Sequence, residues 1–336
     1  MSFLLRYNKY NFILLLIKPD IYYYLTKERF MDSKQHTLLK KLILLGIFGI
    51  LIAMIVVAIW IRYNFRLDIM YWTIPATYVD TNTEITGTSV MSFNIRCITE
   101  ADTGINDWSY RASEVVGIVN DNQPTIICMQ ECKRPQYRYL KKCLSGYKSV
   151  AVYRDNSYKK ECLPIFYRKD LYQLESTETF WLSDTPDVMS NTWGGYNRIC
   201  TFVVLKEKST DKRLLVANTH LDHKTQEAQL KGINLIYKKL STYKLPSLIM
   251  GDFNCTPEAD AIIKARKYYT DASAGSADAN KGTVNYFKSK YPNKKIDYIF
   301  TTKYDIRVLN YKVIDTVKNG IYASDHFPIM ANVEII

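Results

Sequence analysis

Beyond residue 88 this chain repeatedly shows a short apolar run that ends in a small polar cluster. Residues 245–250 lead into Gly251-Asp252-Phe253-Asn254. Other runs end at Asn94, at Gln130-Glu131 and at Asn218-Thr219-His220, and Ser324-Asp325-His326 opens the last one. Short apolar runs bounded by turn residues read as buried strands. Side chains at i and i+2 of a strand share a face, so Asp252 and Asn254 point to the same side. Strand ends on one edge of a sheet share a rim, where ligands commonly bind. Four carboxylates on such a rim, Glu131, Asp252, Asp297 and Asp325, are costly to bury without a cation. Carboxylate and amide oxygens suit Mg²⁺ or Mn²⁺. None of the seven cysteines shows the paired spacing of a zinc site. Cys128 and Cys200 lie in apolar runs and read as buried thiols. Cys143 with Cys162 is an open disulfide pairing if the domain meets an oxidising compartment.

Helical patterns separate the runs. Amphipathic spacing predicts helices over 106–120, 135–144, 225–240 and 258–267, and strands over 89–95, 125–130, 149–153, 162–167, 177–182, 199–205, 214–218, 295–301, 307–314 and 329–336. A polar loop rich in Ala, Gly and Ser is expected over 271–282. This alternation implies a layered α/β domain over residues 88–336 with a sizeable antiparallel component.

Residues 42–61 carry no charge and are long enough to cross a hydrocarbon core. A cleavable signal has a shorter apolar region and a small-residue site, which Arg62-Tyr63-Asn64-Phe65-Arg66 lacks. The reading is one transmembrane helix, preceded by a basic segment over 1–41 and followed by a juxtamembrane linker over 62–87. Trp60, Tyr63, Tyr71 and Trp72 are its expected interface aromatics. Met31 opens a stretch that reads as a complete membrane-targeting start, so residues 1–30 are open to two readings, an upstream extension or part of the basic N-terminal segment. Eight Lys/Arg precede the span and two follow closely. Positive-inside bias then places the N-terminus in the cytoplasm and the large domain outside, a single-pass arrangement.

The net charge of +12 invites a nucleic-acid reading. Residues 1–66 hold +7 of it, leaving +5 for the remainder, compatible with anionic substrates but not diagnostic.

Taken in order, Ser-Phe-Asn94-Ile-Arg, Gln130-Glu131, Asn218-Thr-His220-Leu-Asp222-His223, Gly-Asp252-Phe-Asn254, Ile-Asp297-Tyr and Ser-Asp325-His326 resemble the endonuclease/exonuclease/phosphatase superfamily. Phe180-Trp181-Leu182-Ser183-Asp184-Thr185-Pro186 resembles a bacterial subgroup of it. The resemblance runs from about Thr88 to Ile336. It implies a four-layer α/β sandwich, two packed mixed β-sheets flanked by helices, and Mg²⁺-dependent hydrolysis of a phosphoester. It implies Glu131 as principal metal ligand with Asn94 and Asp325 close to the metal. It implies Asp252 as the residue that activates water and Asn254 as the amide that positions phosphate. His326, oriented by Asp297, and His220 would stabilise the phosphoryl oxygens. Glu161 would be the carboxylate paired to His220, and Arg198 and Asn218 would contact substrate.

Substrate choice rests on loops. No arginine follows Asp252 closely, which lowers the inositol-phosphate reading. Lys281, Lys288, Lys290, Lys294 and Lys295 with Tyr286, Phe287 and Tyr291 offer a strip for a polynucleotide or merely a solvated loop. Nucleic acid and phospholipid head groups both remain as phosphoester substrates, no protein partner is inferable, and a non-catalytic binding module that retains the fold is the alternative.

Overall fold

The uncharged run is helical. Helix α1, Ser33–Met70, contains a stretch long and apolar enough to cross a membrane. Its large side chains, such as Leu42, Phe48 and Trp60, are exposed. The computed structural model describes residues 32–71, 73–82, 87–156, 161–288 and 292–336. The expectations for residues 1–30, Met31, Trp72, Lys290 and Tyr291 lie outside them, as does the side chain of Tyr63. The chain divides into two units, Met1–Arg66 and Leu67–Ile336.

Within the second unit the strands are, in chain order, β1 (Thr88–Asn94), β2 (Ile126–Gln130), β3 (Cys132–Lys133), β4 (Tyr147–Val150), β5 (Glu161–Cys162), β6 (Ile165–Arg168) and β7 (Tyr172–Trp181). There follow β8 (Ile199–Glu207), β9 (Arg213–His220), β10 (Ser247–Asp252), β11 (Tyr269–Asp271), β12 (Asp297–Thr302), β13 (Ile306–Val313) and β14 (Ile329–Ile335). The helices are α2 (Trp108–Asn122), α3 (Arg134–Cys143), α4 (Gln226–Leu240) and α5 (Asp260–Tyr268). One mixed sheet has the order β13-β14-β1-β2-β6-β4 and the other β11-β12-β10-β9-β8-β7. The three-residue β11 and the small β3–β5 pair are too short to show a period in sequence.

Strand parity builds the layers. Val90, Ile126, Cys128, Val216, Leu248, Met250 and Ile299 point inward and form a core between the sheets. Their neighbours Met91, Phe93, Ile127 and Met129 point outward onto Trp108, Val115 and Leu140 of α2 and α3. On the other sheet Leu215, Ala217, Ile249 and Phe300 pack against Ile233, Ile236 and Ile262 of α4 and α5. The outcome is a four-layer α/β sandwich. Asp107 caps α2 through the Ser109 amide, and Thr225 caps α4 through the Ala228 amide.

Residues 62–87 differ from the expected linker. α1 continues to Met70, and Tyr71 and Val79 join the core beside α2 and α3. Tyr71 is buried, and its hydroxyl donates to Asp107 Oδ2 at 2.7 Å, so it is a core residue and not a membrane-interface aromatic. All seven cysteines are free thiols. Cys162 lies opposite Cys132 across the β3–β5 pair, which removes the Cys143–Cys162 pairing.

Gly251 has a steric reason. A Cβ there would stand 1.9 Å from the Thr219 carbonyl oxygen of the adjacent strand. Gly251→Ala is expected to cost about 1–3 kcal/mol by forcing β10 away from β9, read as a lower midpoint in thermal or urea unfolding.

Candidate functional site

The inward parity of the inter-sheet core continues to the strand ends, where it places polar groups. β1 and β2 are parallel, with Asn94 opposite Gln130. β9 and β10 are parallel and β12 is antiparallel to β10, which sets His220, Asp252 and Asp297 in one row. The two sheets therefore bring two polar rows to one end of the cleft. Gln130 Nε2 joins them by donating to Asn218 Oδ1 at 2.8 Å.

Asp252 Oδ2 lies at the centre. It accepts from Asn94 Nδ2 at 3.0 Å, with His220 Nε2 at 3.4 Å and His326 Nε2 at 3.9 Å. Its other oxygen accepts the Asn254 amide at 2.8 Å. Asn254 has a φ of 50°, a conformation asparagine tolerates better than most residues. Glu131 also lies in the left-handed region, at φ 59°. Its Oε2 accepts the Cys97 amide at 3.0 Å and its Oε1 accepts Asn94 Nδ2 at 3.2 Å. His326 Nδ1 is 2.9 Å from Asp297 Oδ2, which also accepts the Thr283 hydroxyl at 2.6 Å. Asp325 Oδ2 is 3.3 Å from Arg96 Nη1.

Burial, and then the nearby charge of Asp297, push the Asp252 carboxyl up to about 7. Burial also raises Asp325, aided by Glu131 and opposed by His326 and Arg96. Burial works against Glu131 too, but the Cys97 amide, the His326 charge and Asn94 hold it below the usual carboxylate range. The two imidazoles diverge. Burial disfavours charge on His326, yet Asp297, Asp252 and Asp325 outweigh it and hold the ring protonated well above its ordinary range. Burial and the charges of Arg198 and Arg154 push His220 far down, so it stays neutral. Such divergence marks separate acid–base roles.

Glu131, His220 and Asp252 can each offer a ligand atom within 4.8 Å of one another, and so can Asp252, Asp297 and His326. Asp325 joins neither group. Asn94 presents its amide N–H groups to the carboxylates, because its oxygen accepts the Arg96 amide at 3.0 Å. The buried carboxylate oxygens around Asp252 fit a hard divalent cation, which would offset the burial and the Asp297 charge that together raise Asp252.

Two expectations need correction. Asn218 is fully buried, and its Nδ2 donates to the Met129 and Pro164 carbonyls at 2.8 and 3.0 Å. With its oxygen taken by Gln130 it joins the sheets and has nothing left for substrate. Glu161 is not paired with His220. Arg154 grips it with two contacts of 2.9 Å, and His220 Nδ1 has no hydrogen-bond partner among the described residues. Arg198 reaches His223 Nδ1 at 3.1 Å. Within the basic strip, Lys295 is buried on Ser273 and Ala279 and Lys281 pairs with Asp315, while Tyr286, Lys288 and Lys294 are exposed.

Arg96 stood in a motif without a role, and Arg111 and Arg154 escaped the sequence reading of the site. Arg96 bridges Asp325 and Asp102. Arg111, wholly buried, donates to the carbonyls of Asn106, Ile95 and Ala323, and so ties the end of β1 to the turn carrying Asp325 and His326. A charge inside the apolar stripe of α2 was its signal. Arg154 lies in a polar loop and gave none.

The Endonuclease/Exonuclease/phosphatase family model matches residues 91–326. The chain belongs to this family. A family member from Bacteroides vulgatus is 31% identical, with a TM-score of 0.70 over 75% of this chain and 100% of that one. A mannosyl-6-phosphatase from Bacteroides thetaiotaomicron VPI-5482 is 29% identical, with a TM-score of 0.67 over 74% of this chain and 100% of that one. Nocturnin of Drosophila melanogaster is 24% identical over 72% of this chain and 44% of its own length. Family members are phosphoesterases and generally depend on a metal.

Asp297→Asn removes a charge that raises both Asp252 and His326. Both groups should titrate at lower pH in the variant, Asp252 losing its proton earlier on the acid side and His326 earlier on the alkaline side. NMR titration of the His326 ring and the Asp252 carboxyl checks this, and unmoved midpoints would contradict the assignment.

Proposed function

We propose that this chain is a membrane-tethered hydrolase of phosphoester bonds, with Asp252 as the group that takes the proton of the attacking water. The observation that supports this most is geometric: Asp252 Oδ2 lies buried with Asn94 Nδ2 at 3.0 Å, His220 Nε2 at 3.4 Å and His326 Nε2 at 3.9 Å, and burial raises its carboxyl to about 7. A base with that affinity for protons is matched to work near neutral pH. The charged His326, held by Asp297, donates to a phosphoryl oxygen where negative charge develops. Asn254, whose Nδ2 is bonded to the Leu221 carbonyl at 3.1 Å, positions the phosphate and the water. Neutral His220 offers a hydrogen bond without competing for the proton of Asp252. Glu131 and a nearby Asp325 would hold Mg²⁺ or Mn²⁺, with Asn94 bracing Glu131 against Asp252. Such an ion, when bound, polarises the phosphoryl oxygen and shields incoming charge.

The Bacteroides phosphatase supports phosphoester cleavage as the reaction class. Residues 42–61, within α1, supply the tether, and the lysine and arginine excess before them supports a cytoplasmic N-terminus with the catalytic unit outside.

Full-length protein in detergent with Mg²⁺ should hydrolyse a generic phosphoester. Asp252→Ala and His326→Ala should each lower kcat by about a hundredfold or more in steady-state assays. Variants as active as the parent would remove the assignment, and a parent inert on monoesters, diesters and nucleic acid would leave a binding module. Glu131→Ala should raise the Mg²⁺ concentration needed for half-maximal rate, and an unchanged metal titration would exclude it as a ligand. An alkaline-phosphatase fusion after residue 66 should be active in cells, whereas an inactive fusion would reverse the orientation.

A further inference from the structure

A small ribbon stands outside both six-stranded sheets. It pairs β3, Cys132–Lys133, antiparallel with β5, Glu161–Cys162. Cys132 lies opposite Cys162, and Lys133 lies opposite Glu161. Each cysteine directly follows a carboxylate. Cys132 comes after Glu131, whose backbone is left-handed at φ 59°, and Cys162 comes after Glu161, which Arg154 grips. The ribbon therefore sits where the turn carrying Glu131 leaves β2.

The two thiols are placed for each other. Residues directly opposite on an antiparallel pair have Cα atoms about 4.5–5.5 Å apart, and a disulfide accepts Cα separations of about 4.4–6.8 Å. Opposite side chains also leave the ribbon on the same face. A bond between Cys132 and Cys162 thus needs no backbone movement. Both side chains are fully buried. Cys162 Sγ donates to the Cys132 carbonyl at 3.1 Å, which holds it beside its partner, and Cys132 Sγ is 3.9 Å from the Lys133 carbonyl. These S–H contacts are weak, so joining the sulfurs forfeits no strong hydrogen bond.

We propose that Cys132 and Cys162 are a modification site at which a disulfide oxidant forms a cross-strand disulfide, stapling β3 to β5 and fixing the turn that carries Glu131. Cys162 gives its proton to water, and its thiolate attacks one sulfur of the oxidant, expelling the other as a thiolate. Cys132, deprotonated in turn, attacks the Cys162 sulfur of the mixed disulfide and expels the remaining oxidant sulfur. The two cysteines lose two electrons and two protons, and the oxidant is reduced to two thiols. A ribbon of two residue pairs is only marginally stable by itself, so local opening admits the oxidant to the buried sulfurs. The link joins residues 30 apart in sequence and stabilises the fold by constraining the unfolded chain. The pairing is independent of the hydrolase reading; only the supply of oxidant rests on the proposed placement of this domain outside the membrane.

The test incubates the full-length chain in detergent with oxidised glutathione, alkylates the remaining thiols after denaturation and maps the peptides without reduction. The peptides bearing Cys132 and Cys162 should be joined, with the other cysteines alkylated. The melting midpoint should rise by roughly 5–10 °C on oxidation and fall back with dithiothreitol. Cys132→Ser and Cys162→Ala should each abolish that shift, and the peptide map of the parent decides the pairing if either variant fails to fold. Hydrogen exchange at the Cys97 amide, which donates to Glu131, should slow about tenfold in the oxidised chain. Alkylation of both cysteines, a link to any other cysteine, or a link that moves neither the midpoint nor the Cys97 exchange rate would overturn the proposal. None of these readouts needs turnover, so a failed hydrolase assay leaves the staple standing, and a failed staple leaves the hydrolase reading standing.

Discussion

The bond between Gln130 and Asn218 is the contact on which the site depends. Both residues are buried at the inward face of their sheets, and the donor and acceptor come from strands 88 residues apart in sequence. Asn218 also spends both amide hydrogens on carbonyls of the opposite sheet. Polar groups at that depth have no water to turn to, so sliding one sheet against the other would leave them unpaired. The register between sheets is thereby fixed at the place where Asn94 and Glu131 must face His220 and Asp252. Arg111 does the same for the Asp325–His326 turn, through backbone carbonyls.

Within that frame, distribution of charge gives the site its chemistry. Acidic groups gather around Asp252, and basic groups gather around His220. Each half perturbs the histidine nearest to it in the opposite sense, so one imidazole is charged and the other neutral. On the proposed reading, a phosphate between the halves would meet donors on one side and, with a cation present, a Lewis acid on the other.

Much of the fold was legible because strand and helix periods differ. Short apolar runs ending in polar clusters identified β1, β9 and β10 as buried strands, and the structure shows that the strand period carries Asn94, His220 and Asp252 to the face between the sheets. The His326–Asp297 contact, a bond between residues 29 apart, matched the expectation from the motifs. The pairing of Glu161 was not legible. Its partner depends on where the loop bearing Arg154 folds, and loops carry no period. Tyr71 misled for a related reason: an aromatic just beyond an apolar helix fits a membrane interface and a domain core equally well.

The sequence by itself determined the elements, the layers and the membership of the polar clusters, because hydrophobic period and short motifs are local properties. It also determined that a long uncharged run, residues 42–61, precedes the domain. Tertiary structure alone decided which polar groups pair with each other and which are left with free donors. Asn218 became a joint between sheets, Glu161 the partner of Arg154, and Arg198 a buried cation with open N–H groups. Those outcomes depend on distances between strands and loops far apart in the chain, and no local pattern encodes them.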